Sequence, residues 1–254
     1  MKIELIGLKH ISIINEKTDL SKLIINTLEK QKFNIEDEDI ILIAETLVSK
    51  SENNIIELDK IKTSEKSIKI AKKIGKKPEL IESILNESKE IIAIGGDFII
   101  AETKHGFVCA NAGIDESNVE SGFATPIPIN PDKSALKIRE TLENKYNINL
   151  AIIITDTQGR AFRNGAVGLA IGSSGIDPLW KRKGEKDLYG KELQTTEIAI
   201  ADELSAAASL IMGQADEGMP IVIIRGFPNF RNLRNTEKGI KSLLRPKEQD
   251  VFRS

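Results

Sequence analysis

Residues 151–165 read AIIITDTQGRAFRNG, and this stretch decides how the chain is interpreted. The apolar run 151–154 predicts a short buried strand. Thr155, Asp156 and Thr157 follow it with oxygen donors of the kind that Mg²⁺ and Mn²⁺ prefer. Arg160 and Arg163 then supply guanidinium groups that match paired phosphate or carboxylate oxygens. The residues alone leave two interpretations open: a metal and phosphate site, or a capped turn followed by solvated arginines.

Strand and helix patterns alternate along the rest of the chain, which predicts a mixed α/β (α+β) fold. Asp19 and Ser64 are predicted helix caps, and Pro78 suits the first position of a helix. Predicted strands cover 2–6, 40–44, 91–94, 98–101, 106–110 and 221–224, with turns at 95–96 and 103–106. Predicted helices cover 19–32, 62–74, 78–88, 132–145 and 194–212.

The proline-dense stretch 125–131 is the clearest connector in the chain. We therefore expect residues 1–254 to form a single unit, with two subdomains meeting near 125–131. Residues 231–254 are predicted to be a polar tail.

Composition narrows the class of protein. The 254 residues carry a net charge of −2, which gives no global footprint for nucleic-acid binding. The single cysteine, Cys109, excludes an intrachain disulfide, and its apolar neighbours predict a buried thiol rather than a nucleophile. No apolar run approaches the ~20 residues of a membrane helix. We expect a cytoplasmic protein with neither nucleic acid nor membrane as a partner.

A second group of oxygen donors follows the predicted strand at 106–110. Residues 111–118 read NAGIDESN, and Gly113 permits backbone angles that other residues avoid. Asp115 would then be a candidate ligand and Asn118 a candidate amide contact. The alternative is an ordinary turn stabilised by Asn and Asp side chains.

A third group follows the longest predicted helix, where residues 212–220 read MGQADEGMP. Gly213 suits the end of the helix, and Gln214, Asp216 and Glu217 offer further oxygens. The alternative is a plain capped helix with an acidic loop.

Several common catalytic signatures are absent from the sequence. Residues 184–191 (GEKDLYGK) lack the glycine spacing of a P-loop, and no G-x-G-x-x-G, G-x-S-x-G or H-E-x-x-H occurs. His10 and His105 have no partner at ligand spacing and are predicted to lie in turns. Trp180 and Tyr189 are the few candidates for stacking on a flat ring, although both also suit a core.

The polar groups resemble the signatures of the coenzyme F-420-0:γ-glutamyl ligase family. The resemblance is carried by 111–119 (NAGIDESNV) and by 155–160 (TDTQGR) with Arg163. It continues in the same order through 170–172 (AIG), 187–190 (DLYG) and 225–226 (RG), so it covers essentially the whole chain. It is closest to the stand-alone archaeal form. The family fold is two-lobed α/β and forms an intertwined homodimer, and the resemblance implies both.

The resemblance implies GTP-dependent addition of L-glutamate to a deazaflavin coenzyme precursor. It implies divalent-metal ligands, Mg²⁺ or Mn²⁺ at two sites, at Asp115, Asp156, Thr157 and Gln214, with K⁺ as a further candidate cation. It also implies GTP contacts at His10, Ile11, Ser12, Ile13, Glu45, Thr46, Lys50, Asn118, Met212, Gly213, Gln214, Ala215, Asp216, Glu217, Gly218 and Met219.

We therefore hypothesise an acid–amino-acid ligase that works through an acyl phosphate. Arg160 and Arg163 are assigned as catalytic residues on physical grounds, because they can orient a carboxylate or stabilise developing phosphoryl charge. Three alternatives stay open: a same-fold ligase for another carboxylate, a metal-dependent phosphohydrolase, and a non-catalytic GTP-binding protein.

Overall fold

A computed structural model describes residues 1–14 and 16–252, and it is a mixed α/β protein, as predicted. The strands are β1 (Glu4–Gly7), β2 (Ile40–Ala44), β3 (Ile56–Glu57), β4 (Ser88–Ile94), β5 (Ile99–Thr103), β6 (Val108–Ala110), β7 (Phe123–Ala124), β8 (Ala151–Arg160), β9 (Arg163–Ile176), β10 (Trp180–Lys181), β11 (Glu197–Ile198), β12 (Ile221–Arg225) and β13 (Arg234–Asn235). The α-helices are α1 (Leu20–Gln31), α2 (Glu45–Ser51), α3 (Glu65–Ile74), α4 (Pro78–Glu87), α5 (Pro131–Tyr146), α6 (Ile200–Met212) and α7 (Phe230–Leu233).

The main sheet has six strands in the order β1-β12-β2-β8-β9-β13. Its neighbours are antiparallel except for β2 and β8, which run parallel with Ala44 opposite Thr155. Residues 40–43 and 151–154 are completely buried, as expected for strands covered on both faces. The parallel pair therefore delivers the residues that follow both strands to one edge of the sheet.

The apolar residues form two separate cores. One surrounds the main sheet and includes α1, α5 and α6. The other lies within 58–124 and includes Ile74 of α3, Ile81 and Ile84 of α4, and Ile99 of β5. The chain thus leaves the main sheet after α2, builds a smaller lobe around β4-β5-β6, and returns through the proline-dense connector to α5.

The predicted helix starts are confirmed in detail. Asp19 accepts a hydrogen bond from the Lys22 N–H over 3.2 Å at the start of α1. Ser64 caps α3 in a reciprocal arrangement with Ser67, and Pro78 is the first residue of α4. These helix starts could be predicted from the sequence because a cap depends only on residues within one turn of the start.

Two elements differ from the prediction around the decisive stretch. The strand predicted at 151–154 continues to Arg160, so the capped turn proposed as an alternative there is wrong. Strand β8 pairs with β9, which has 14 residues. The sequence did not predict β9, because its glycines interrupt the apolar pattern of a strand. A Cβ atom at Gly172 would lie 2.5 Å from the Pro131 Cβ, so this glycine permits the close packing of α5 on β9.

Two further boundaries differ from the prediction. The helix predicted over 194–212 begins only at Ile200, because residues 197–198 pair with β10 instead. The segment predicted as a polar tail, 231–254, includes all of α7 but its first residue and all of β13, and it buries Leu233 and Ile240 in the main core. Its last two residues, 253 and 254, lie outside the described residues. No helix in the described part of the chain is long and apolar enough to cross a membrane.

Arg225 joins the end of β12 to the loop before β2. Its guanidinium donates to both carboxylate oxygens of Asp39, over 2.9 and 2.7 Å, and also to Glu36 over 2.6 Å. The Asp39 side chain is only 1% exposed, so its charge depends on this partner. The Arg225-Gly226 motif is therefore part of the structural framework.

We predict that Arg225→Ala lowers the free energy of unfolding by roughly 3–5 kcal/mol, because it leaves the Asp39 carboxylate buried and unpaired. Urea unfolding at pH 7 measures this change. The matched control is Arg231→Ala, since Arg231 pairs with Glu38 but is 83% exposed. This control should cost at most about 1 kcal/mol. Equal losses in the two variants would contradict the assigned role of Arg225.

Candidate active site

A cavity of about 950 Å³ lies beside the smaller lobe, at the point where the pairing of β2 with β8 ends. Five short segments supply most of its wall: residues 11–14, 44–50, 109–120, 155–159 and 209–220. These segments are far apart in sequence, and the parallel β2–β8 pair brings two of them together directly. A cavity of this kind is the expected location of an active site.

Strand β8 supplies Asp156 and Thr157 to this cavity, directly after its last residue paired with β2, Thr155. Asp156 is half-buried, and its two carboxylate oxygens accept separate hydrogen bonds. The Thr157 N–H donates to Oδ1 over 2.6 Å, and the Gln158 Nε2 donates to Oδ2 over 3.0 Å. The carboxylate is thus held in one orientation, with lone pairs left for a further ligand.

The smaller lobe supplies Asp115 and Asn118. The chain reaches them through a short turn in which Gly113 has φ +71°, where a Cβ would overlap the Ile127 side chain. Asp115 then forms an isolated bridge with Thr125, which fixes its backbone. Across the cavity, Lys50 Nζ on α2 donates to the Asn118 carbonyl over 3.0 Å and so links the two lobes.

Three carboxyl groups, Glu45, Asp115 and Asp156, face one another across the cavity and interact electrostatically. Burial raises the pKa of Glu45 well above its usual range, and repulsion from Asp156 and Asp115 adds to the rise. Burial also raises the pKa of Asp156 to about 6, while the hydrogen bonds from Gln158 and Thr157 oppose the rise and Asp115 adds to it. Within the described part of the chain none of the three forms a salt bridge, so the cavity is suited to a cation.

Cys109 also lines the cavity, but its thiol is not suited to act as a nucleophile. Burial raises the pKa of its thiol to about 12, and the charges of Asp156 and Glu45 add to this rise. The thiolate, which is the nucleophilic form, is therefore negligible at neutral pH. The predicted buried thiol is confirmed.

The loop after α6 closes the cavity from the side of the main sheet. Gln214 Nε2 donates to Thr157 Oγ1 over 3.0 Å, which ties the loop to β8. The Glu217 carboxylate accepts a 2.8 Å hydrogen bond from the Ala215 N–H. Backbone hydrogen bonds from Ala215, Glu217 and Gln214 lower the pKa of Glu217.

Most of the predicted site residues line this one cavity. They are Ile11, Ser12, Ile13, Glu45, Thr46, Lys50, Asp115, Asn118, Asp156, Thr157, Met212, Gly213, Gln214, Ala215, Gly218 and Met219. Five predicted residues lie outside its wall. His10 is exposed in an irregular segment with φ +56°, and Asp216 and Glu217 are exposed on the loop. Arg160 and Arg163 pair with each other at the tip of the β8–β9 hairpin.

Sequence reasoning missed several wall residues. The most consequential is Gln158, whose side-chain amide holds the Asp156 carboxylate. Its place two residues after Asp156 on a strand is a usable signal, because alternate residues share a face. Glu120 and Ser209 also line the cavity, and no local pattern marks them.

The donor set fits a divalent metal that is completed by a ligand. Among the residues that the structure describes, no three His, Cys, Asp or Glu side chains are grouped so as to hold a metal ion alone. Asp115 and Asp156 would need the Thr157 hydroxyl, the Gln214 amide and outside oxygens to fill a coordination shell. Mg²⁺ in proteins is usually bound in this way, by one or two carboxylates with substrate phosphates and water.

Comparisons with known proteins agree on one family. The family model described as F420-0:Gamma-glutamyl ligase matches residues 9–226. A protein of Methanothermobacter thermautotrophicus named coenzyme F420:L-glutamate ligase is 57% identical over 253 residues, covering 100% of both chains.

More distant relatives carry the same name. The protein of Methanocaldococcus jannaschii is 53% identical over 258 residues, covering 100% of this chain and 98% of the relative. The protein of Methanosarcina mazei is 44% identical over 253 residues, covering 100% of this chain and 96% of the relative. The predicted resemblance is confirmed, and the chain belongs to the F420-0:γ-glutamyl ligase family.

Proposed function

We propose that this chain is a GTP-dependent ligase that joins L-glutamate to the carboxylate of the deazaflavin precursor coenzyme F-420-0. One observation supports the proposal most strongly. A single cavity collects all four implied metal ligands and most of the implied nucleotide contacts from segments that are far apart in sequence. Relatives that cover the whole chain bear the name of this activity.

The proposed reaction has two balanced steps. The terminal phosphoryl group of GTP moves to an oxygen of the acceptor carboxylate, which gives an acyl phosphate and GDP. The α-amine of glutamate then attacks the acyl carbon, loses a proton and displaces inorganic phosphate. A second round through the γ-carboxylate of the added residue gives a γ-linked glutamate.

The chain's own residues are suited to this chemistry. Phosphoryl transfer needs positioning and charge neutralisation more than a protein nucleophile, and the cavity has no ionised thiol. Lys50 lines the cavity with its ammonium directed across it toward Asn118, so it is our candidate contact for a nucleotide phosphate. The hydrogen bonds from Thr157 and Gln158 hold the Asp156 carboxylate in place.

Asp115, Asp156, Thr157 and Gln214 are the proposed ligands of Mg²⁺ or Mn²⁺. The bound ions would supply positive charge to the phosphate oxygens, which the clustered carboxylates alone would repel. K⁺ remains a further candidate cation in this proposal.

Arg160 and Arg163 remain proposed contacts for anionic groups of the substrates. Because they lie at a hairpin tip outside this chain's cavity, they would act on a group that projects beyond it or on the cavity of another subunit. The proposed homodimer accommodates the second possibility.

A homodimer is supported by apolar side chains that project from hairpins. Phe162 is 92% exposed, and Leu188 and Tyr189 are 101% and 96% exposed. Ordered loops that present large apolar side chains to water are typical of association surfaces. Light scattering should give twice the 28.0 kDa mass of one chain. A single-chain mass at micromolar concentration would contradict the dimer.

The ligase proposal is tested by incubating the purified protein with GTP, Mn²⁺, L-glutamate and coenzyme F-420-0. Mass spectrometry should show the acceptor gaining one glutamyl unit, only when GTP is present. Three other results would contradict the proposal. Phosphate release without an acceptor would indicate a phosphohydrolase, and GTP binding without turnover would indicate a non-catalytic binding protein. Glutamate addition only to another carboxylic acid would indicate a ligase with a different acceptor.

Asp156→Asn tests the proposed metal site through stability. The raised pKa of Asp156 means that its ionisation is disfavoured in the folded state, so wild-type stability falls as pH rises from about 4 through about 6. In EDTA the variant should be more stable than wild type by roughly 1–3 kcal/mol at pH 8, and the difference should vanish toward pH 4. Mg²⁺ should stabilise wild type but not the variant.

Asp202→Asn is the matched control for this experiment. Asp202 also has a pKa raised by burial, but it lies outside the cavity wall and accepts a hydrogen bond from the Ala170 N–H. This variant should retain the full stabilisation by Mg²⁺. An unchanged response to Mg²⁺ in Asp156→Asn would rule out Asp156 as a ligand.

A further inference from the structure

A second cavity, of about 230 Å³, shares no wall residue with the active-site cavity. Helix α2 lies between the two. Thr46 and Lys50 line the active-site cavity, whereas Val48 and Glu52 line the second cavity from the other face of the helix. The second cavity has room for a small molecule but not for a nucleotide, since pockets for drug-sized ligands have roughly 300–1,000 Å³.

The wall of the second cavity carries charges of both signs that do not pair with one another. Lys17 and Lys137 supply ammonium groups, and Asp19 and Glu52 supply carboxylates. Among the residues that the structure describes, none of these four takes part in a salt bridge. A simple anion in this cavity would meet two carboxylates, and a simple cation would meet two ammonium groups. A ligand that bears both charges complements the wall better than either ion does.

Both carboxylates are held in place and still have acceptor positions for a ligand. Asp19 accepts a 3.2 Å hydrogen bond from the Lys22 N–H as the cap of α1. Glu52 accepts a hydrogen bond from the Ser134 hydroxyl of α5. An ionised carboxylate has roughly four acceptor positions, so each group can also accept hydrogen bonds from a ligand ammonium.

Ser21 adds a polar group without a partner at the start of α1. It is 2% exposed and belongs to the wall of the second cavity, and its hydroxyl has no hydrogen-bond partner in the described part of the chain. A buried hydroxyl without a partner is unfavourable, so an acceptor atom of a ligand would remove this cost. The first turn of the 12-residue helix α1 also has backbone N–H groups without an acceptor inside the helix, which favours a carboxylate there.

We propose that the second cavity is a binding site for a free α-amino acid in its zwitterionic form. Lys17, Lys137 and the start of α1 bind the α-carboxylate. Asp19 and Glu52 bind the α-ammonium group. This site is separate from the proposed active site, so its existence does not depend on the ligase activity.

Isothermal titration calorimetry of the full chain with L-glutamate tests this site. The titration is done in EDTA and without nucleotide, and we expect saturable binding. Glutarate has the same two carboxylates but no amine, so it should bind at least about ten-fold more weakly, because nothing then pairs with Asp19 and Glu52. Equal binding of glutarate would overturn the proposal, and so would the absence of L-glutamate binding at millimolar concentrations.

Two substitutions test whether the binding takes place in the second cavity. Lys137→Ala removes an ammonium group, and Glu52→Gln removes a carboxylate charge while its amide oxygen can still accept from Ser134. Each should weaken L-glutamate binding by roughly ten-fold. Unchanged affinity in either variant would overturn the proposal, because the amino acid would then be bound elsewhere, as in the active-site cavity.

Lys133→Ala is the matched control for Lys137→Ala. Lys133 is exposed one turn earlier on α5 and lies outside the wall of the second cavity. The control removes the same charge, so it should change L-glutamate affinity by less than about two-fold. Equal weakening in Lys133→Ala and Lys137→Ala would overturn the proposal in favour of general electrostatic attraction.

Discussion

The parallel pairing of β2 with β8 is the constraint on which the rest of the structure depends. It sets Ala44 opposite Thr155, so that Glu45 and Asp156, the residues that follow this last pair, reach the same edge of the sheet. Antiparallel pairing would carry one of these carboxylates to the opposite end. The apolar runs that form the pair are completely buried, so the position of the cavity is set by the most strongly protected part of the core.

A few polar contacts link the segments that line the cavity. Lys50 reaches the Asn118 carbonyl in the smaller lobe, and Gln214 reaches Thr157 from the loop after α6. Burial is the main cause that raises the pKa values of Glu45 and Asp156, and repulsion among the three carboxyl groups adds to the rise. A bound cation would relieve this repulsion, so metal binding and the stability of the cavity are expected to be coupled.

The sequence predicted the parts of the fold that depend on local signals. Strand β2, the Asp19 and Ser64 caps and the start of α4 at Pro78 follow from residues close to one another. Strand β9 could not be predicted, because its glycines are required by neighbours such as Pro131 that are distant in sequence.

The residues of the site also divide into those that local sequence predicts and those that depend on the folded conformation. Asp115 and Asp156 could be predicted as site residues because each follows an apolar strand, and both line the one cavity. Helix α2 was not predicted, because it follows β2 without a side-chain cap. Gln158 and Glu217 act through contacts with near neighbours, but only their backbone conformations show which contacts form.

The central claim is that the carboxylate cluster at this edge of the sheet holds a divalent metal together with nucleotide phosphates. Anomalous scattering from a crystal grown with Mn²⁺ and GTP tests it most directly. The account predicts manganese peaks bounded by Asp115 and Asp156, with Thr157 or Gln214 as a further ligand and phosphate oxygens completing the shell. Nucleotide bound in the cavity without manganese at these carboxylates would contradict it.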